Sequence, residues 1–174
     1  MTLRFDSICA ASVEEMWRIL AKDSIDTGLY HLCYPPHITL AIFPDEVSGE
    51  VLQAAFAQIT AVWQALPVTL NGLGIFPGSP SVLWAVPVVT RELLDLHAMV
   101  CDTLPDVTIH PHYQPSFWIP HVTLSRAVEN PDRAIAALLP GWHSISGFLD
   151  QADLVRFHPL EVVQSQALFK VSCG

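Results

Sequence analysis

Positive charge is what this chain of 174 residues has least of. Eight Lys and Arg stand against seventeen Asp and Glu, for a formal charge of −9, and the basic residues form no run. Proteins that grip long nucleic acids neutralise phosphates with clustered cations, so a long duplex or an extended single strand is excluded as a ligand. A small phosphorylated ligand or an RNA end is not. Long hydrophobic runs are missing too: the most apolar stretch, Val82 to Val89, is interrupted by Pro87 and falls far short of the ~20 residues of a membrane span. With 51% hydrophobic residues and a mean hydropathy of +0.39, the chain reads as a dense core with no membrane partner. The start, Met1-Thr2-Leu3-Arg4-Phe5-Asp6, lacks the charged-then-apolar layout of a secretory signal, so a cytoplasmic protein is expected. Cysteine pairs are absent as well. Cys9, Cys33, Cys101 and Cys173 contain no C-x-x-C, which fits neither a disulfide framework nor a zinc knuckle. Reduced, mostly buried thiols are expected.

At this length one domain, or one domain made by duplication, is the natural reading. Leu3 to Ala10 reads as a strand. Ser12-Val13-Glu14-Glu15 reads as a capping box opening a helix, with Val13, Met16, Trp17 and Leu20 on its apolar face. Pro35-Pro36 hand over to a short strand from His37. Ser48 or Gly49 opens a second helix whose apolar stripe runs from Val51 to Leu66, where Pro67 ends it. A strand from Val68 to Phe76 and a turn at Pro77-Gly78-Ser79-Pro80 close the first half. The order then begins again: a strand over Ser81 to Val88, a helix capped by Thr90, a Pro- and aromatic-rich loop from Pro105 to Phe117, and a strand from His121. A helix started by Asn130-Pro131 and closed by Pro140-Gly141 follows, then strands near Ile145 to Phe157 and Gln164 to Val171. Both halves, about 1–78 and 79–174, thus run strand, helix, strand, helix, strand, which is an internal repeat of roughly 80 residues.

Both halves also carry the same tetrapeptide pattern in the third element. His37-Ile38-Thr39-Leu40 and His121-Val122-Thr123-Leu124 are H-x-T-L segments at the start of matching strands. In an extended strand His37 and Thr39 share one face while Ile38 and Leu40 share the other, and the same holds for His121 and Thr123. Halves related by a pseudo-twofold would set the two motifs facing one another across a cleft. Two imidazoles and two hydroxyls would then meet on one floor. Imidazole, with an unperturbed pKa of ~6.5, can serve as acid or base near neutral pH.

The segments Pro36-His37-Ile38-Thr39-Leu40 and Pro120-His121-Val122-Thr123-Leu124-Ser125-Arg126, with Leu70-Asn71-Gly72-Leu73-Gly74-Ile75-Phe76 between them, resemble the 2H phosphoesterase superfamily. The resemblance is to the group that includes bacterial 2′-5′ RNA ligase, also called RNA 2′,3′-cyclic phosphodiesterase. It implies an α+β fold, duplicated and bilobal, with two pseudo-twofold-related antiparallel sheets and outer helices around a central cleft. It also implies metal-independent, cofactor-free hydrolysis of a 2′,3′-cyclic phosphate to a 2′-phosphate, and in some members reversible 2′-5′ ligation of RNA. By resemblance His37 is the proton donor and His121 the acceptor, roles that exchange in the ligation direction. Thr39 and Thr123 are placed to donate hydrogen bonds to the charged equatorial oxygens.

Arg126 is a candidate phosphate clamp, although strict alternation puts it on the face opposite His121 unless the strand bends. Phe43, Tyr113, Phe117 and Trp118 flank the motifs and could stack on a base. Trp17, Trp63 and Trp84 sit on regular apolar faces and read as core. The expected ligand is a nucleoside 2′,3′-cyclic phosphate or a short RNA end, bound by a monomer. A second reading is a non-catalytic module that binds a phosphorylated nucleotide or RNA end. A third is a metallohydrolase using His110, His112 and His121, against which stands the absence of a nearby cysteine or acidic residue at a familiar spacing.

Overall fold

The computed structural model describes residues 1–169; Cys173 and the end of the last expected strand lie outside them. The first half consists of β1 (Thr2–Phe5), α1 (Ser7–Lys22), β2 (His37–Thr39), α2 (Gly49–Thr60) and β3 (Leu66–Phe76). The second consists of β4 (Ser81–Pro87), α3 (Arg91–Thr103), β5 (Val122–Val128), α4 (Pro131–Leu138) and β6 (Ile145–Arg156), followed by β7 (Glu161–Ala167). No helix is long and apolar enough to cross a membrane among the described residues.

Local chemistry explains where these bounds depart from the sequence reading. The expected strand Leu3 to Ala10 stops at Phe5, because Asp6 caps α1: its carboxylate accepts from Cys9 N and from Phe148 N, both at 3.0 Å. One residue thus starts the helix and ties it to the sheet. Ser12 is not a cap but an interior helical serine, donating to Ile8 O. α2 ends at Thr60 rather than running to Leu66, tightening through Val62 N to Ile59 O and Trp63 N to Thr60 O. Trp63 and Leu66 remain buried, but on the turn and on β3, while Val51 and Val62 are exposed. α3 and α4 open as read, with Leu93 N donating to Thr90 Oγ1 and Arg133 N to Asn130 Oδ1.

Among the described residues seven strands join one antiparallel network in the order β2-β1-β6-β3-β4-β5, with β7 added to β6. The two expected sheets are therefore continuous, joined through the β3·β6 pair. Exchanging each element of one half with its counterpart in the other, β1 with β4, β2 with β5 and β3 with β6, turns that order into its own reverse. Helix packing obeys the same exchange, α1 against α4 and α2 against α3. The equivalent strands that lie side by side are β3 and β6, while the motif strands occupy the two ends. Accumulated strand twist curls the ends toward each other, and β2 contacts β5. Ile38, Leu40, Val122 and Leu124 are essentially fully buried, and burying side chains of this size contributes about 1.5–3 kcal/mol each. Their partners in the alternation, the motif histidines and threonines, are left half-buried on the other face.

Candidate active site

That face forms the floor of a cleft of about 1230 Å³ lined by His37, Thr39, His121, Thr123 and Arg126, larger than the ~300–1,000 Å³ of a drug-sized pocket. His37 Nδ1 lies 2.8 Å from Pro35 O and His121 Nδ1 lies 2.7 Å from Ile119 O. A carbonyl can only accept, so in both rings Nδ1 carries the hydrogen and Nε2 is left to exchange a proton. The motif prolines help here, because they hold the preceding backbone extended and offer the carbonyl two residues upstream.

The surroundings of the two imidazoles differ. His37 packs on Tyr34, with centroids 4.8 Å apart, and the Tyr34 hydroxyl donates to Asp153 Oδ2 at 2.9 Å and lies 2.7 Å from Thr2 Oγ1. Asp153 is fully buried, pairs with Arg4 at 2.8 Å and accepts from Ser165. β1 presents Thr2 and Arg4 directly opposite Thr39 and His37, so this network backs the first motif. His121 instead meets the ring of Phe76 edge-on at 5.1 Å and that of Trp84 at 6.0 Å. Trp84, expected in the core, stacks on Phe76 and walls the second motif. A Cβ on Gly74 would collide with its indole, so the glycine is what lets that ring lie flat.

Burial holds both imidazoles below the ordinary histidine value. His37 is lowered to about 4, mainly by desolvation and further by the N-terminal amine, His121 and Arg126, against the raising effect of Pro35 O. His121 is lowered by desolvation and partly restored by Ile119 O. Both are therefore neutral at pH 7 in the free protein.

Arg126 reaches the cleft despite the parity argument. β5 pairs Thr123 with Trp84 and Ser125 with Leu83, leaving Leu124 as an extra residue between them. That bulge inverts the alternation, so Leu124 and Ser125 are both buried and Arg126 turns back to the side of His121. Arg4, Arg18, Arg91 and Arg156 pair with carboxylates, and Arg133 bonds Asp23 O. No side-chain hydrogen bond or ion pair holds the Arg126 guanidinium among the described residues.

Phe43, Tyr113 and Phe117 line the cleft alongside Thr39. Trp118 does not line it. Its ring stacks on His97 at 4.0 Å and its Nε1 donates to Thr39 O at 3.0 Å, so this residue braces the first motif. Trp17 Nε1 does the same for Thr123 O at 3.0 Å. Missed by the sequence reading were Phe76 and the second rim, Arg156, Phe157 and His158, on the β6–β7 hairpin. Only the position of Phe76, closing the glycine-containing strand, offered a signal. Among the described residues no group of three His, Cys, Asp or Glu side chains converges as a metal site; His110 and His112 face each other at 5.0 Å with no third ligand beside them.

The family model of the 2′-5′ RNA ligase superfamily matches residues 5–159. Among solved structures the chain is similar to TT0787 of Thermus thermophilus, with 16% identity over 97% of this chain and 96% of that one and a TM-score of 0.68. It is also similar to E. coli LigT complexed with 3′-AMP, with 19% identity over 96% and 97% and a TM-score of 0.60. A structure described as a phosphoesterase gives 16% identity over 97% and 96% and a TM-score of 0.59. No curated protein matches.

Proposed function

The chain belongs to the 2′-5′ RNA ligase superfamily, and from that premise we propose that it is a metal-independent phosphodiesterase opening the 2′,3′-cyclic phosphate of a nucleotide or short RNA end to a 2′-phosphate. The observation that carries this reading is two imidazoles with locked Nδ1 hydrogens, His37 and His121, sharing one cleft with a guanidinium that is unpaired among the described residues. In an acidic chain that keeps its other arginines bonded, such a cation beside two proton-exchanging groups suits an anionic ester whose cleavage moves two protons. His121 Nε2 takes a proton from water as its oxygen bonds to phosphorus. The bond from phosphorus to O3′ breaks, and O3′ takes the proton of His37 Nε2. Thr39, Thr123 and Arg126 stabilise charge on the equatorial oxygens. The bound phosphate anion raises both imidazole pKa values from their desolvated level, which supplies the proton His37 must give. With a 5′-hydroxyl in place of water, the same displacement forms its oxygen's bond to phosphorus as the bond to O3′ breaks, which leaves a 2′-5′ phosphodiester, and the acidic surface favours short partners for it. The protein is read as one cytoplasmic, monomeric domain of two repeats, 1–78 and 79–174, whose symmetry sets the two motifs face to face.

A panel of nucleoside 2′,3′-cyclic phosphates in excess chelator tests the proposal. Turnover is expected in the parent, with a drop of about 10²–10⁴-fold in both His37→Ala and His121→Ala, the range for losing a general acid or base. The neutral state of both histidines in the free protein favours the second reading, a non-catalytic binding module; no turnover above background in the parent, with a nucleoside 2′-phosphate still bound, supports that reading instead.

A further inference from the structure

Arg126 faces the cleft only because β5 bulges, and the bulge is held from outside its strand. The holder is Asp26, in the loop between α1 and β2, about a hundred positions earlier in the chain. Its Oδ2 accepts from Ser125 Oγ at 2.5 Å and from Arg126 N at 3.2 Å. Its Oδ1 accepts from Gly28 N at 2.7 Å, a local turn that fixes the carboxylate. Ser125 Oγ in turn accepts from Ala127 N at 3.2 Å. β5 is an end strand of the sheet, so no further strand among the described residues supplies an acceptor for the Arg126 amide. Ser125 is fully buried, and a buried hydroxyl left without a partner costs about 1–3 kcal/mol. Straightening β5 would strand that hydroxyl's partner and swing Arg126 away from His121. The same loop is tied down at Asp23 O by Arg133 of α4.

We propose that Asp26 is a positioning residue: by holding the Leu124–Ser125 bulge it turns the Arg126 guanidinium into the cleft, and so governs how tightly the site takes the substrate phosphate. The phosphate part rests on the function proposed above; the geometric part does not. Asp26 touches no reacting atom. Its effect runs wholly through Arg126, and this separates it from a residue that merely stabilises the fold.

The test is a double-variant cycle on cyclic phosphate turnover, with melting temperature alongside. Arg126→Ala is expected to lower kcat/KM by about 10²-fold, as for one lost oxyanion donor. Asp26→Ala should lower it about tenfold or more in the parent, chiefly through KM, and less than about twofold in the Arg126→Ala background, since coupled sites are not additive. Asp26→Asn keeps one acceptor oxygen and should recover part of the loss; it also carries the cycle if Asp26→Ala does not fold. The same factor in both backgrounds overturns the proposal. A separate readout is the cross-strand NMR contact pattern of Ser125 with Leu83 and Thr123 with Trp84. If the parent turns nothing over, the function reading fails while this pattern still decides: its loss in a folded Asp26 variant supports the role, its persistence overturns it.

Discussion

His37 and His121 make the same hydrogen bond, from Nδ1 to the carbonyl two residues upstream, at 2.8 and 2.7 Å, yet the strands beneath them are built differently. β2 is three residues long, without irregularity in its pairing to β1, and backed by the buried Asp153 network. β5 is seven residues long, bulged, walled by Phe76 and Trp84, and ends its motif in Arg126. The same local geometry thus holds two chemically equal groups, and their neighbours make their surroundings unequal.

The sharpest way to break that comparison asks which histidine protonates the leaving oxygen. The resemblance makes His37 the donor, yet in the free protein burial makes His37 hard to protonate, its pKa lowered to about 4. A 4-nitrophenyl phosphodiester of a nucleotide leaves without needing a proton. On it, the loss in His37→Ala should shrink from the full 10²–10⁴-fold expected for a missing acid by at least about tenfold, while the His121→Ala loss stays. Rescue confined to His121→Ala would exchange the two roles.

The pH dependence sharpens the same contrast with a smaller effect. Catalysis needs one imidazolium and one imidazole, and kcat/KM reports the free enzyme. Both values are lowered by desolvation, so the singly protonated cleft is most populated below the ordinary ~6.5 of histidine and thins about tenfold per pH unit above the higher of the two. kcat/KM should therefore peak on the acid side of 6.5. The kcat profile should peak at higher pH, because bound phosphate favours the charged imidazole. Arg126 lowers His37 by its charge, so Arg126→Ala should move the acid limb of kcat/KM upward. A kcat/KM that climbs steadily from pH 6 to 8 would contradict this.

The parts of the molecule that were legible in the sequence are those set by local pattern. The caps at Thr90 and Asn130 and the order strand, helix, strand, helix, strand in each half follow from periodicity and capping, and the elements form in that order. What was not legible depends on long-range contacts. Asp6 outcompetes Ser12 as a cap because Phe148, far away in the chain, needs the same carboxylate. The Arg126 direction depends on Asp26 across the fold, and strand parity alone gave the wrong side. Trp118 reads as a stacking platform until His97 is seen to occupy its face.

Trp118 and Trp17 supply the finest comparison, because the two halves solve one problem with non-equivalent residues. Each end strand leaves a threonine carbonyl pointing outward, and each receives an indole N–H at 3.0 Å. Trp17 comes from α1, buried in the core; Trp118 comes from the long loop and is clamped by His97, which also bonds Tyr113 O at 2.8 Å. Replacing the indole by the smaller phenyl ring, in Trp17→Phe or Trp118→Phe, takes away one neutral hydrogen bond, about 0.5–1.5 kcal/mol, together with part of the ring's packing. Trp17→Phe should lower the melting temperature and leave KM for a cyclic phosphate near the parent's. Trp118→Phe should cost less stability and more KM, because the loop it anchors carries Tyr113 and Phe117 to the wall of the cleft. Equal KM values in the two variants would mean that the loop holds its place by packing alone, and the two braces would then be equivalent after all.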